Sequence, residues 1–250
     1  MITKWNFQTP TEEELHKRDR LASQLGLSPV VCLLLVQRGL TTVEEVKKFF
    51  KPSLNDLHDP FLMPDMDKAV RRLNKALGNK EKILIYGDYD VDGTTAVSLV
   101  FKYLRPYSST LDFYIPDRYD EGYGISYKGI DYAAENGVSL VISLDCGIKA
   151  IEKIEYAKEK GIDFIICDHH MPDATLPDAV AVLDAKRSDS IYPYEHLSGC
   201  GVGFKFMQAF AKSNNFPFSD LEKLLELTAV SIASDIVPIT GENRILAYYG

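Results

Sequence analysis

Residues 82–104 read KILIYGDYDVDGTTAVSLVFKYL, and the order of chemistry along this stretch decides the fold. A short apolar run, ILIY (83–86), leads into an acidic loop bounded by Gly87 and Gly93, after which Val97, Val100, Phe101 and Leu104 recur at helical spacing. Strand, loop and helix in that order form the first half of a βαβ unit. The rhythm continues downstream, where DFYI (112–115), LVISL (140–144), FIIC (164–167) and AVAVL (179–183) alternate with longer amphipathic segments. Ile148 to Lys160 reads as a helix closed by Gly161, and Asp220 to Ser234 as a further apolar-rich helix. The expected fold class is α/β: a Rossmann-like, mostly parallel sheet with helices on both faces.

Upstream the texture is helical. Thr11-x-x-Glu14 and Thr42-x-x-Glu45 are capping-box patterns, and Gly26 and Gly39 supply stops. Val30 to Val36, the longest apolar run, follows Ser28-Pro29 like a helix start and reads as a buried helix. The expected organisation is a helical N-terminal region over 1–80 and an α/β domain over 81–250. At 250 residues and 46% apolar the chain can bury a full core. No run approaches the ~18 apolar residues of a membrane span. MITKWNFQTP (1–10) has no basic region leading into an apolar stretch, so a cytoplasmic protein is expected. Cys32, Cys146, Cys167 and Cys200 form no CxxC pair and are read as reduced thiols. The chain stops at RILAYYG (244–250) without a turn signal, so it is expected to end inside a larger protein. The net charge of −8 argues at first against a nucleic-acid partner, because phosphate contacts normally come from clustered Lys and Arg.

In parallel α/β sheets ligands bind beyond the carboxyl ends of the strands, and here acids and histidines follow the apolar runs. Asp88, Asp90 and Asp92 follow ILIY, Asp145 follows LVISL, and Asp168, His169 and His170 follow FIIC; Asp235 closes the helix-like run VSIAS. Asp-x-Asp-x-Asp-Gly (88–93) opens like an EF-hand loop, but the twelfth position is Leu99 and a strand precedes it. It lacks the Lys of a phosphate loop. In an extended segment the three aspartates would project to one side, where like charges cost on the order of 1 to 4 kcal/mol each. A divalent cation is the simple compensation, whereas capping of the following helix, expected near Thr94, explains one aspartate more readily than three. A set of carboxylates and imidazoles without thiolate suits Mn²⁺ or Mg²⁺ better than structural zinc. Gly199, Gly201 and Gly203 have no clear strand before them, so they read as close helix packing beside the site.

Taken in order, GDYDVDGTTA (87–96), SLDCG (143–147), CDHH (167–170) and SDIVPITGENR (234–244) resemble the four motifs of the DHH phosphoesterase superfamily. IPDRYDEGYG (115–124) and LSGCGVGFK (197–205) extend the likeness, within that superfamily, to single-strand-specific 5′→3′ exonucleases. The resemblance implies that Asp90 binds one metal and Asp92 the other, that Asp145 bridges them, and that His169 and Asp235 complete the ligands of the second ion. It implies two ions, Mn²⁺ or Mg²⁺. Asp88, Asp168 and His170 would orient ligands or touch phosphate, with His170 counted among the catalytic residues alongside Asp90, Asp92, Asp145, His169 and Asp235. Arg118 would hold a terminal 5′-phosphate, and Arg244 is a second basic candidate. Some superfamily members carry a His four residues before the Asp90 position, where this chain has Tyr86.

The activity so implied is two-metal hydrolysis of single-stranded DNA from the 5′ end, releasing 5′-mononucleotides in DNA repair and recombination. A single-strand-binding protein and a helicase are the implied partners, and a second DHH-associated domain and an OB-fold are expected outside these residues. The alternatives are a phosphodiesterase acting on short oligonucleotides or cyclic dinucleotides, and a non-catalytic DHH-like binding module. On this reading the acidity loses its force as an objection. Two divalent cations would move the formal charge from −8 to −4 at the very place where phosphate would bind.

Overall fold

The computed structural model describes Lys4 and residues 9–250, so most of MITKWNFQTP lies outside the described residues. The chain divides into two compact units, Met1–Asn55 and Asp56–Gly250. The first holds α1 (Glu12–Leu25), α2 (Pro29–Gln37) and α3 (Val43–Phe50) around Leu21, Cys32, Leu35, Val36 and Val46. Both capping boxes form: the Glu14 and Glu45 amides donate to Thr11 and Thr42 Oγ1, each at 3.2 Å, and the threonine amides donate back to the glutamates. Helix α2 is not buried all round as its composition suggests. Cys32, Leu35 and Val36 turn into the cluster of this unit, while Val30 and Leu34 stay exposed.

The second unit contains α4 (Met66–Gly78), β1 (Lys82–Gly87), α5 (Val91–Leu104), β2 (Leu111–Tyr114), α6 (Tyr127–Glu135), β3 (Val138–Leu144), α7 (Ile151–Glu159), β4 (Asp163–Cys167) and β5 (Ala181–Leu183). It continues with α8 (Gly199–Asn214), α9 (Phe218–Glu222), α10 (Leu225–Ser234) and α11 (Gly241–Tyr249). The compact units meet at residue 55/56, while the helical texture continues through α4 to Gly78, ahead of the first strand. Met66, Ala69, Val70, Leu73 and Ala76 form a buried stripe on α4, which packs within the second unit against α8 and β5.

Among the described residues the strands form one parallel sheet in the order β2-β1-β3-β4-β5. Its strands are apolar on both faces, as a doubly covered sheet requires. Leu84, Tyr86, Val141, Phe164, Ile166 and Val182 pack on Ile130 and Ala133 of α6 and Ile154 and Ala157 of α7. Helices α4, α5 and α8 cover the other face. There α8 comes so close that a Cβ on Gly203 would sit 3.1 Å from Leu144 Cδ2 and 3.4 Å from Val100 Cγ2. No helix among the described residues is long and apolar enough to cross a membrane.

Strand register sets where the acids emerge. Gly87 lies opposite Leu144, Leu144 opposite Cys167, and Cys167 opposite Leu183. The next residue along each of these strands is an aspartate, Asp88, Asp145, Asp168 and Asp184, so four carboxylates leave one sheet edge at the same level.

Three helices differ in their bounds from the sequence expectation, and one is α7, which begins at Ile151 and not at Ile148, whose amide is drawn to Asp168 Oδ2 at 2.9 Å. Helix α5 begins at Val91, not near Thr94, because Asp90 caps it and accepts from the Gly93 amide at 2.9 Å. The expected helix over 220–234 starts at Phe218 and is broken between α9 and α10, where Leu224 turns tightly onto the Leu221 carbonyl. The turn lets Leu221, Leu224 and Leu225 all reach the interior.

Candidate metal centre

The four strand-end aspartates are buried, and each is held differently. Asp88 Oδ1 accepts from the Gly124 amide (3.1 Å), while Oδ2 has no hydrogen-bond partner and burial pushes the carboxyl above its ordinary range. Asp145 sits in the left-handed region (φ 60°), a conformation aspartate tolerates better than most residues, with its amide donating to the Cys167 carbonyl at 2.8 Å. Its Oδ1 is also orphaned, and burial followed by the charges of Asp92, Asp90 and Asp168 pushes its carboxyl up to about 10. Asp168 behaves in the opposite way. Burial alone would raise it, but the His170 ring (Nδ1 to Oδ1, 2.7 Å) and the amides of Ile148, His169 and His170 hold it below the usual carboxylate range. Asp184 accepts from the Lys186 amide at 2.7 Å, keeps Oδ2 without a partner, and is raised by burial to about 7.

Helix ends deliver the remaining acids. Asp92 lies in the first turn of α5 and meets the N-terminus of α8 head-on: Gly199 N donates to its Oδ2 and Cys200 N to its Oδ1, both at 2.7 Å. Ser231 of α10 donates to Oδ1 at 2.7 Å and lies 2.6 Å from Ser198 Oγ, the N-cap of α8. A carboxylate at the positive end of a helix dipole is favourably placed. Even so, burial leaves Asp92 above its ordinary range. The approach of α8 explains the first glycine of the GxGxG run, since a Cβ on Gly199 would lie 2.5 Å from Asp145 Oδ1. Asp235, at the C-terminal end of α10, completes the set.

His169 stands at the meeting point of these groups. Its Nε2 is 3.1 Å from Asp145 Oδ1, 3.7 Å from Asp235 Oδ2 and 3.8 Å from Asp92 Oδ2, yet neither ring nitrogen makes a hydrogen bond. Two donor triads result, Asp145–His169–His170 and Asp92–His169–Asp235, each with its ligand atoms within 4.8 Å of one another. Buried polar atoms left unpaired cost about 1–3 kcal/mol each. Converging carboxylate oxygens and imidazole nitrogens that fail to satisfy one another are the signature of a place for a cation, and this donor set fits a divalent ion of the Mn²⁺ or Mg²⁺ type. Thiolate ligation is not on offer. The cysteines are buried and free, and burial raises the thiols of Cys146, Cys167 and Cys200.

Not every expected residue joins the triads. The acids of the first motif do not project to one side, because the backbone enters α5 between them: Asp88 points to the 124 loop, Asp90 caps α5 and Asp92 faces α8. Asp90 belongs to neither triad, although its charge contributes to raising Asp145. Tyr86 is buried on the α6 side of β1, its hydroxyl donating to the Gly124 carbonyl (2.9 Å) and accepting from the Ser126 amide (3.1 Å), so it anchors the loop before α6. Arg118 is exposed in that connection, 5.2 Å above the Tyr89 ring. Arg244 is half-buried on α11. Sequence reasoning passed over Asp184, Ser198, Ser231 and Tyr123, whose hydroxyl donates to the Asp145 carbonyl (3.2 Å) and lies 3.3 Å from His170 Nε2. The residue after AVAVL was available to the same rule that found the other three aspartates. A capping Ser before an apolar helix was a signal for Ser198, whereas nothing local marks Ser231.

The profile of the DHH family, N-terminal domain, matches residues 82–232. The single-stranded-DNA-specific exonuclease RecJ of Bacillus subtilis (strain 168) is 40% identical over 247 residues, covering 99% of this chain and 30% of that protein. A crystal structure of exonuclease RecJ bound to manganese superposes with a TM-score of 0.69 at 29% identity, over 79% of this chain and 49% of the other. The crystal structure of RecJ in complex with Mn²⁺ from Thermus thermophilus gives a TM-score of 0.78 at 25% identity, over 94% of this chain and 33% of the other. The chain thus spans less than half the length of each of these relatives.

Proposed function

The chain belongs to the DHH family, and from that membership we propose that it carries the catalytic centre of a metal-dependent 5′→3′ exonuclease that hydrolyses single-stranded DNA to 5′-mononucleotides. The observation that carries the proposal is the pair of donor triads sharing His169, with Asp145 and His169 orphaned in the interior. Asp92, His169 and Asp235 would hold one ion, and Asp90 and Asp145 the other. When bound, two divalent cations supply Lewis acidity and a hydroxide at neutral pH.

The protein groups do the rest. The Gly199 and Cys200 amides and Ser231 fix Asp92, so its ligand oxygens enter with a set orientation. Asp168 holds the His170 ring by Nδ1 and leaves Nε2 beside the Tyr123 hydroxyl, where it can contact phosphate or carry a proton. Arg118 and Arg244 are the proposed phosphate contacts. The nearby thiols are buried and held protonated, so no cysteine serves as nucleophile. Single-stranded DNA as substrate, a single-strand-binding protein and helicase as partners, and action in the cytoplasm belong to the same proposal.

End-labelled single- and double-stranded DNA, digested with and without Mn²⁺, tests it. The expected result is metal-dependent release of mononucleotides from the 5′ end of the single strand alone. Asp145→Asn is expected to lower that rate by more than about 100-fold. A variant as active as wild type would remove Asp145 from the mechanism, and faster turnover of a dinucleotide than of a long strand would favour a small-substrate phosphodiesterase.

A further inference from the structure

Beside the candidate centre lies a cavity of about 390 Å³ to which none of the roles above is assigned. It is bounded by the connections that follow β2, β3 and β4, and Asp168 and His170 are among its lining residues. His170 also belongs to one donor triad, with its ligand atom within 4.8 Å of those of Asp145 and His169, so the cavity borders the candidate centre. Ile125, Ile148 and Met171 supply apolar wall, and Lys149 and Lys153 supply cations.

We propose that this cavity is a nucleotide subsite, with the base against Ile125, Ile148 and Met171 and a phosphate at Lys149 and Lys153. Three observations favour a nucleotide over an apolar ligand or a bare anion. The volume lies at the lower end of the range for small-ligand cavities, which suits one nucleotide and not a run of them. Apolar wall and positive charge share the cavity, as they must for a ligand with a flat apolar ring at one end and a dianion at the other. The charge balance also favours an anion. Asp168 in the lining is matched by His170, and Lys149 pairs with Asp173 at 3.5 Å, with both side chains more than half exposed. Such a surface pair is worth little and exchanges readily for phosphate. Met171 is 64% exposed, and a flexible thioether at the rim can adapt to any base, as an enzyme indifferent to sequence requires. The identification of the ligand as a piece of DNA rests on the exonuclease reading.

The test is equilibrium binding of 5′-dAMP to the intact chain in chelator-containing buffer, with deoxyadenosine and inorganic phosphate as comparison ligands. Lys149→Glu combined with Lys153→Glu is expected to weaken dAMP at least about tenfold and deoxyadenosine less than about twofold. Met171→Asp should weaken both nucleoside ligands to a similar degree. Unfolding temperatures should stay at the wild-type value, since Lys149 and Met171 are exposed and Lys153 is half-buried. Unchanged dAMP affinity in the double variant, equal losses for dAMP and deoxyadenosine, or inorganic phosphate binding as tightly as dAMP would each overturn the subsite. Strand digestion by the wild-type chain separates the two ideas. Digestion without a lysine effect on dAMP sinks the subsite alone, and a lysine effect without digestion sinks the exonuclease reading alone.

Discussion

At the scale of single residues, burial raises the carboxyls of Asp88, Asp92, Asp145 and Asp184, whereas Asp168 is held below its usual range by its partners. Asp184 gives a clean handle on this, because it stands at the same sheet edge yet lies outside both triads. Its carboxyl is raised from 3.8 to about 7, first by burial and then by the charge of Asp168, against the opposing Lys186 amide. The folded state therefore favours the neutral acid. Its contribution to stability is complete below about pH 4 and is lost as the pH rises through 7. Asp184→Asn keeps an acceptor for the Lys186 amide and removes the titration. In metal-free buffer, thermal melts of this variant should vary less with pH between 4 and 8 than wild type, and the variant should be the more stable protein at pH 8, by up to a few kcal/mol. Identical pH profiles would show that Asp184 is solvated or paired in solution and does not carry a raised pKa. Local strain is visible too, at Ile236, a β-branched residue in the left-handed region (φ 56°) directly after Asp235. As the side chain is 87% exposed, Ile236→Asn should raise stability by roughly 1 kcal/mol in denaturant titrations, and a loss of stability would mean the conformation is held by contacts of the isoleucine itself.

At the scale of elements, the controlling contact is the N-terminus of α8 against Asp92 and Asp145. The three glycines that open this helix are not equivalent. Gly199→Ala would place a Cβ 2.5–2.7 Å from three Asp145 side-chain atoms, and neither partner can yield: Asp145 is tied to the Cys167 carbonyl and Gly199 to Asp92. A destabilisation of about 1–3 kcal/mol is expected, with a larger fractional loss of Mn²⁺ affinity than of stability, read by calorimetric titration. Gly201→Ala meets its nearest atom at 3.3 Å, the Ser198 hydroxyl, and gains helix propensity, so it should be close to neutral. If the two substitutions behave alike, the close approach of α8 is not what shapes the centre. The alternation of strands and helices was legible at this scale, as were the capping boxes at Thr11 and Thr42. The start of α5 and the break between α9 and α10 were not, because a cap at Asp90 and the demand to bury Leu221, Leu224 and Leu225 together act across the local pattern.

At the scale of the whole chain, two compact units each have their own buried cluster, Leu21 to Val46 in the first and the helix-covered sheet in the second. All the residues of both donor triads, and the cavity with its lysines, lie in the second. The sequence alone determined the parallel α/β class, the acids and histidines beyond the strand ends, and the choice of a hard divalent cation. Those conclusions depend on periodicity and on ligand chemistry, which are properties of neighbouring residues. Only the tertiary structure decided which of those side chains converge. Asp92 meets His169 and Asp235 because α8 and α10 close over α5, Asp90 is drawn into capping, and Tyr86 is turned to the opposite face to anchor a loop. The same packing added Asp184, Ser198 and Ser231, since strand register and helix approach bring together groups as distant in sequence as Asp92 and Ser231, 139 positions apart. A local pattern can nominate a ligand, but the distance between two ligands is set by everything that packs between them.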